Sequence, residues 1–92
     1  MAINDEFFQR LEKQLEINTT WPAVYMFKFI IPESNQGYAL LRSLFGEESR
    51  LSTRHSANGK YISITVKEMM ISPAEITQRY RKAAEIEGII AL

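Results

Sequence analysis

The residues best equipped for chemistry crowd into one stretch, Arg54-His55-Ser56-Ala57-Asn58-Gly59-Lys60-Tyr61-Ile62-Ser63-Ile64-Thr65. It contains the one histidine of the chain, and Ser52 lies just before it. A histidine beside serines could act as the base of a nucleophilic hydrolase, and a histidine among carboxylates or thiols could hold zinc. Neither arrangement has the company it needs. The chain has no cysteine, and no carboxylate stands at a ligand spacing from His55. Ser52, Ser56 and Ser63 lack the glycine frame of a nucleophile elbow and have no acid partner suggested by the sequence. No acid–base pair, nucleophile or cofactor loop stands out elsewhere, so the sequence points away from an enzyme and implies no cofactor and no metal.

A turn explains the stretch better. Asn-Gly is the favoured dipeptide of a two-residue hairpin, whose central positions both take positive φ. With Asn58-Gly59 at the tip, Ala57 pairs with Lys60, Ser56 with Tyr61 and His55 with Ile62, and the register continues to Arg50 opposite Lys67. One face then carries Leu51, Thr53, His55, Ile62, Ile64 and Val66. The other carries Arg50, Ser52, Arg54, Ser56, Tyr61, Ser63, Thr65 and Lys67. A slip of one residue would exchange these faces, so the agreement of both strands fixes the register. In this reading His55 points inward and lays its ring over Ile62.

The remaining elements follow from periodicity and punctuation. Ile3, Phe7, Leu11 and Leu15 recur every fourth residue, with Phe8 beside them, and predict an amphipathic helix from Asn4 or Asp5 to about Glu16. Trp21-Pro22 breaks it. Val24 to Ile31 is short, aromatic and β-branched, the pattern of a central strand buried on both faces, with Lys28 on the less buried one. A polar loop, Glu33-Ser34-Asn35-Gln36-Gly37, precedes a second helix with Tyr38, Leu41, Leu44 and Phe45, which Gly46 stops. Ser72-Pro73-Ala74-Glu75 starts a third helix, with Ile71 and Ile76 spaced as a staple and a stop near Gly88. Residues 89–92 form a closing strand. Helix, then strand–helix–strand–strand–helix–strand, is an α+β pattern: a ferredoxin-like βαββαβ two-layer sandwich with a four-stranded antiparallel sheet and an extra N-terminal helix. Residues 1–20 supply that helix and its connection, and residues 21–92 the core.

The outer face of the hairpin is the second candidate site. Residues 49–67 include Arg50, Arg54, Lys60 and Lys67 and no acid, and Lys28 belongs on the neighbouring central strand. Arg50 opposite Lys67 is unfavourable without an anion between them. Lys28, Arg50, Arg54, Tyr61 and Lys67 therefore mark an interaction face. Single-stranded RNA is bound on this face of RRM domains by aromatic rings on the central strands, but here Ser63 and Thr65 hold those positions and only Tyr61 remains. Nucleic acid is thus the weaker alternative to a solvated face or one meeting Glu12, Glu16 or Glu68. The first helix could cover this face, setting Phe7, Phe8 and Leu11 on Val24, Met26 and Ile30.

Composition narrows the setting. Ninety-two residues suit one domain, and eleven basic side chains cancel eleven acidic ones, leaving no global field to draw in nucleic acid or lipid. The first helix carries Asp5, Glu6, Glu12 and Glu16 against Arg10 and Lys13, unlike a basic membrane-surface helix. The start of the chain lacks a signal peptide's basic and apolar regions, so the cytoplasm is the expected compartment.

The chain resembles the YbeD-like proteins, a family of small bacterial proteins of unassigned function. The likeness rests on Trp21-Pro22 leading into Tyr25-Met26-Phe27-Lys28-Phe29, on the hairpin from Ser56 to Thr65, and on Ile89-Ile90-Ala91-Leu92. It implies a fold related to ACT regulatory domains, which bind small effectors such as amino acids, usually at dimer interfaces. Gly37 followed by Leu40 is similar to the glycine-bearing loop of those domains, so the resemblance makes Asn35, Gln36 and Gly37 an effector-binding candidate. The expectation is a regulatory or protein-interaction module, a homodimer, with a small effector or a protein as partner.

Overall fold

The computed structural model describes residues 5–92. Its elements are α1 (Asp5–Asn18), β1 (Ala23–Pro32), α2 (Asn35–Ser43), β2 (Arg50–His55), β3 (Tyr61–Met70), α3 (Pro73–Ala83) and β4 (Ile90–Ala91). The strands pair antiparallel in the order β2-β3-β1-β4. That order places the first and third strands at the centre, as the ferredoxin-like pattern requires.

The core lies on one side of the sheet. Phe27, Phe29 and Ile31 alternate along β1 and are fully buried, paired across the ladder with Val66, Ile64 and Ile62 of β3. Leu41 of α2, Phe45 after it, and Ile76, Tyr80 and Ala83 of α3 complete that layer. The Phe27 ring lies 5.0 Å from that of Phe45 and 5.3 Å from that of Tyr80. Each fully buried side chain of this size contributes about 1.5–3 kcal/mol. Burial of β1 on both faces is not realised: Val24, Met26 and Lys28 are exposed. Period-2 apolarity fixes which residues share a face, but whether a second layer covers the other face depends on where the helices go.

The first helix does not cover that bare face. It packs against α3, where Phe8 is buried and Phe7 stands edge-on to Tyr80 with ring centres 5.2 Å apart. Arg81 stacks its guanidinium 4.4 Å from the Phe8 ring centre and meets Asp5 at 3.0 Å. Its helical stripe says that one side is buried, and aromatic partners on α3 decide against what. Asn4, the other cap candidate, and Ile3 lie outside the described residues.

The hairpin register from Arg50↔Lys67 to His55↔Ile62 is as the alternation dictates. The tip differs. Ser56 N–H bonds Tyr61 O and Gly59 N–H bonds Ser56 O, so the loop spans residues 57–60 and Ala57 does not pair with Lys60. Gly59 has a φ of 72°, whereas no non-glycine residue described, Asn58 included, has positive φ. Side chains replace the missing ladder bonds: Ser56 Oγ accepts from the amides of Lys60 and Tyr61, and Asn58 Oδ1 accepts from Lys60. Two extra loop residues, one from each strand, leave the register unmoved.

Ser72 caps α3 by accepting from the Glu75 amide, with Pro73 at the first helical position. Ile71 is 70% exposed, so the expected staple with buried Ile76 does not form. The helix ends at Ala83, five residues before Gly88, which instead serves the turn into β4. Gly88 has a φ of 76°, and a Cβ there would stand 2.8 Å from Pro32 Cγ. A Cβ at Gly37 would meet Ile31 Cδ1 at an ordinary 3.5 Å. Gly88→Ala is therefore expected to cost about 2–3 kcal/mol, and Gly37→Ala to be neutral or stabilising by up to about 1 kcal/mol. Urea unfolding of both variants checks the contrast.

Candidate functional site

The bare face of the sheet collects the cationic candidates. Pairing across the strands sets Met26, Lys67 and Arg50 in one row, Lys28, Thr65 and Ser52 in the next, and Ile30, Ser63 and Arg54 in a third. Tyr61, opposite Pro32, stands half-exposed beyond them. Lys28, Arg50, Arg54, Tyr61 and Lys67 thus share one surface. Among the described residues, Lys28, Arg50, Arg54 and Lys67 form no ion pair. A hollow of about 350 Å³ on this face is lined by Lys28 and Arg54 with Ser52, Ser63 and Thr65, and Leu92 at its rim. Two cations and three hydroxyls favour an anionic group there.

Apolar side chains share the surface with the charges. Val24, Met26, Met69, Ile90 and Leu92 are all exposed, and Val24 and Met69 face each other across the central ladder. Met69, Ile90 and Leu92 were not assigned to this face from the sequence. Extending the hairpin alternation from Lys67 by two positions puts Met69 on the same face, and the pairing of Ile90 with Ile30 does so for β4. At the β2 end, Val24 and Met69 line a larger hollow of about 740 Å³ with Arg50 and Lys67 and with Glu47, Glu48 and Glu68.

Glu68 does not neutralise the stripe, because it points to the helical side. Its Oε1 accepts from Gly46 N–H at 2.8 Å, and its Oε2 lies 2.7 Å from Arg79 Nη1 as an ion contact rather than an aligned hydrogen bond. Arg79 in turn lies over the Phe45 ring at 5.3 Å. This mostly buried group ties β3, α3 and the connection leaving α2 together. Glu12 and Glu16 belong to α1, which packs on α3.

His55 lies opposite Ile62 on the inner face as expected, but the helices leave it uncovered. It is exposed, and its Nδ1 lies 2.8 Å from Glu33 Oε2. Thr53 is exposed as well: on the inner face of the edge strand β2 only Leu51 packs against the core. Ser56 Oγ, the nearest hydroxyl in sequence, is engaged within the turn. Among the described residues no cluster of three or more His, Cys, Asp or Glu could hold a metal.

Asn35, Gln36 and Gly37 are the first turn of α2 rather than a loop. Ser34 is the cap, and its Oγ accepts from Gly37 N–H at 3.1 Å, so that amide is already used. The polar run hid the helix start because Ser34 closes it with a side chain. Gln36 and Gly37 border a cleft of about 500 Å³ whose far wall carries Glu85 and Glu87, while Asn35 is outside it. Two carboxylates and a capped amide make a poor seat for a carboxylate effector.

One buried and one partly buried phenol join beneath the sheet. Tyr25 and Tyr80 share a hydroxyl contact of 3.1 Å, and burial, reinforced by that contact, raises the Tyr80 pKa well above the usual phenol range. Tyr80 therefore stays neutral throughout the working pH range and acts in packing.

A one-sided ferredoxin-like sheet carrying a mixed cationic and apolar face defines a class of small α+β domain. A family model matches residues 18–92, and the chain belongs to that family, DUF493, whose proteins are of unknown function. The match includes only the last residue of α1. No curated protein and no solved structure matches the chain. No helix among the described residues is long and apolar enough to cross a membrane.

The Glu68 network yields a contrast in stability. Glu68→Ala strands Arg79 and the Gly46 amide, with an expected cost of about 2–4 kcal/mol. Glu47→Ala and Glu48→Ala, at exposed positions, should stay within about 0.5 kcal/mol. Denaturant midpoints of the three variants test this.

Proposed function

We propose that the protein is a non-enzymatic interaction module, YbeD-like and built on an ACT-like fold, which binds an acidic protein partner on the open sheet face. One observation carries the reading: Lys28, Arg50, Arg54 and Lys67 have no ion partner among the described residues and stand among exposed Val24, Met26, Met69, Ile90 and Leu92. Uncovered apolar groups beside unpaired charge of one sign are what a complementary protein surface relieves. Tyr61, at the end of β3, is the single aromatic that the central strands turn to the open face, which weighs against nucleic acid, since bases need rings to stack on. A second copy of the chain docked face to face would bring the same cations against themselves. The capped first turn of α2 and its acidic cleft weigh against a small carboxylate effector.

Photo-crosslinking in cells that make the protein tests this reading. A benzophenone side chain placed at Ser52 or Ser63 should capture protein segments rich in Asp and Glu, and Lys28→Glu with Arg54→Glu should abolish capture. The same probe at Gln78 or Lys82, exposed on α3, should capture little. Equal capture from α3, capture of nucleic acid alone, or capture that survives the charge reversal would overturn the assignment.

A further inference from the structure

Among the described residues, the edge strand β2 is open along its backbone edge and on its outer face, while Leu51 on its inner face packs against the core. It lies at the end of the sheet with only β3 beside it, and five of its six residues are exposed. In an antiparallel ladder, residues alternate between directing both backbone groups toward the partner and directing both away. The bond from Ser56 N–H to Tyr61 O sets the phase, so Arg54, Ser52 and Arg50 face β3. Leu51, Thr53 and His55 then offer their N–H and C=O groups along the free edge. Edge strands are usually blunted by a proline, an inward charge, a bulge or a covering element. β2 has no proline, its pairing with β3 runs unbroken, and the helices do not cover it. Its remaining guard is charge: Arg50 and Arg54, four residues apart on the open face, each beside a position without a counter-ion.

That guard is selective. Arg50 already stands opposite Lys67, and an acid placed beside Arg50 on a further strand would face both cations. A strand carrying carboxylates at positions i and i+4 would set one beside Arg50 and one beside Arg54, while residues i+1 and i+3 turn toward Leu51 and Thr53 on the inner side. Glu47 and Glu48 flank the Arg50 end without closing an ion pair, and His55 is met on the inner side by Glu33. Neither arrangement occupies the backbone edge. We infer that β2 is a strand-addition site, extending the sheet by an extended acidic segment of the protein partner. This rests on the proposed protein-binding function and specifies how the partner is held: by backbone ladder bonds for affinity and by Arg50 and Arg54 for selection.

Amide hydrogen exchange on the full chain tests it directly. The probe is the blocked peptide Thr-Val-Glu-Val-Thr-Val-Glu-Val-Thr, with glutamates four positions apart on one face. It should slow exchange at Leu51, Thr53 and His55 by about tenfold or more at saturation. A peptide with lysine in place of both glutamates should not, and Arg50→Glu with Arg54→Glu should reverse the preference between the two peptides. That reversal distinguishes recognition from a fold damaged by substitution. Unchanged exchange at those amides, equal protection by both peptides, or protection that arises without peptide as protein concentration is raised would each overturn strand addition. Because crosslinking from Ser52 and Ser63 does not need the edge amides, failure here with success there would leave partner binding standing and refute only this mode.

Discussion

Phe27, Phe29 and Ile31 can be buried together only if β1 presents them to a single packed layer, and the rest of the molecule is arranged around that requirement. Alternation along the strand sends Val24, Met26, Lys28 and Ile30 the other way. Pairing on both sides then carries the same division into β3 and β4. All three helices answer to the buried side: α2 and α3 supply Leu41, Ile76 and Tyr80, and α1 adds Phe8 through its contact with α3. With these helices committed to one layer, no element among the described residues covers the opposite surface. The exposed charges and apolar side chains there follow from the core's geometry rather than from any local motif.

The same logic separates residues that hold the fold from residues free to bind. Glu68 and Lys67 are neighbours in sequence, yet Glu68 joins Arg79 and the Gly46 amide under the sheet while Lys67 faces outward beside Arg50. A buried pair constrains the fold strongly because removing either member leaves the other uncompensated. An unpaired surface cation costs little in place and is available to a partner.

The sequence disclosed the parts of this arrangement that depend on period and missed those that depend on reach. Hairpin register was legible because one slipped residue would have exchanged Leu51 and Ile62 with Arg50 and Tyr61. The inner face of His55, opposite Ile62, was legible, but its exposure was not, because alternation names a face without saying whether a helix extends over it. The Asn58-Gly59 turn was misjudged since Ser56 and Asn58 side chains could satisfy the backbone in a longer loop. Asn35, Gln36 and Gly37 looked like a loop from their polarity, although Ser34 had the chemistry of a cap. For α1 the stripe was visible, but its destination lay in aromatic contacts with residues more than seventy positions away. The cationic set on the open face was readable from the hairpin, while Met69, Ile90 and Leu92 needed the ladder to place them.

Methionine oxidation examines the one-sided sheet without a substitution in the sequence. Met69 and Met70 are adjacent, but Met69 is 58% exposed on the open face and Met70 is 0% exposed in the core; Met26, on the open face, is 44% exposed. Thioether oxidation follows access to the sulfur. Under mild peroxide with peptide mapping of the native chain, Met26 and Met69 should convert to sulfoxide well before Met70. Oxidation of Met70 as fast as Met69, or protection of Met26 and Met69 in the isolated chain, would contradict a sheet packed on one side and bare on the other.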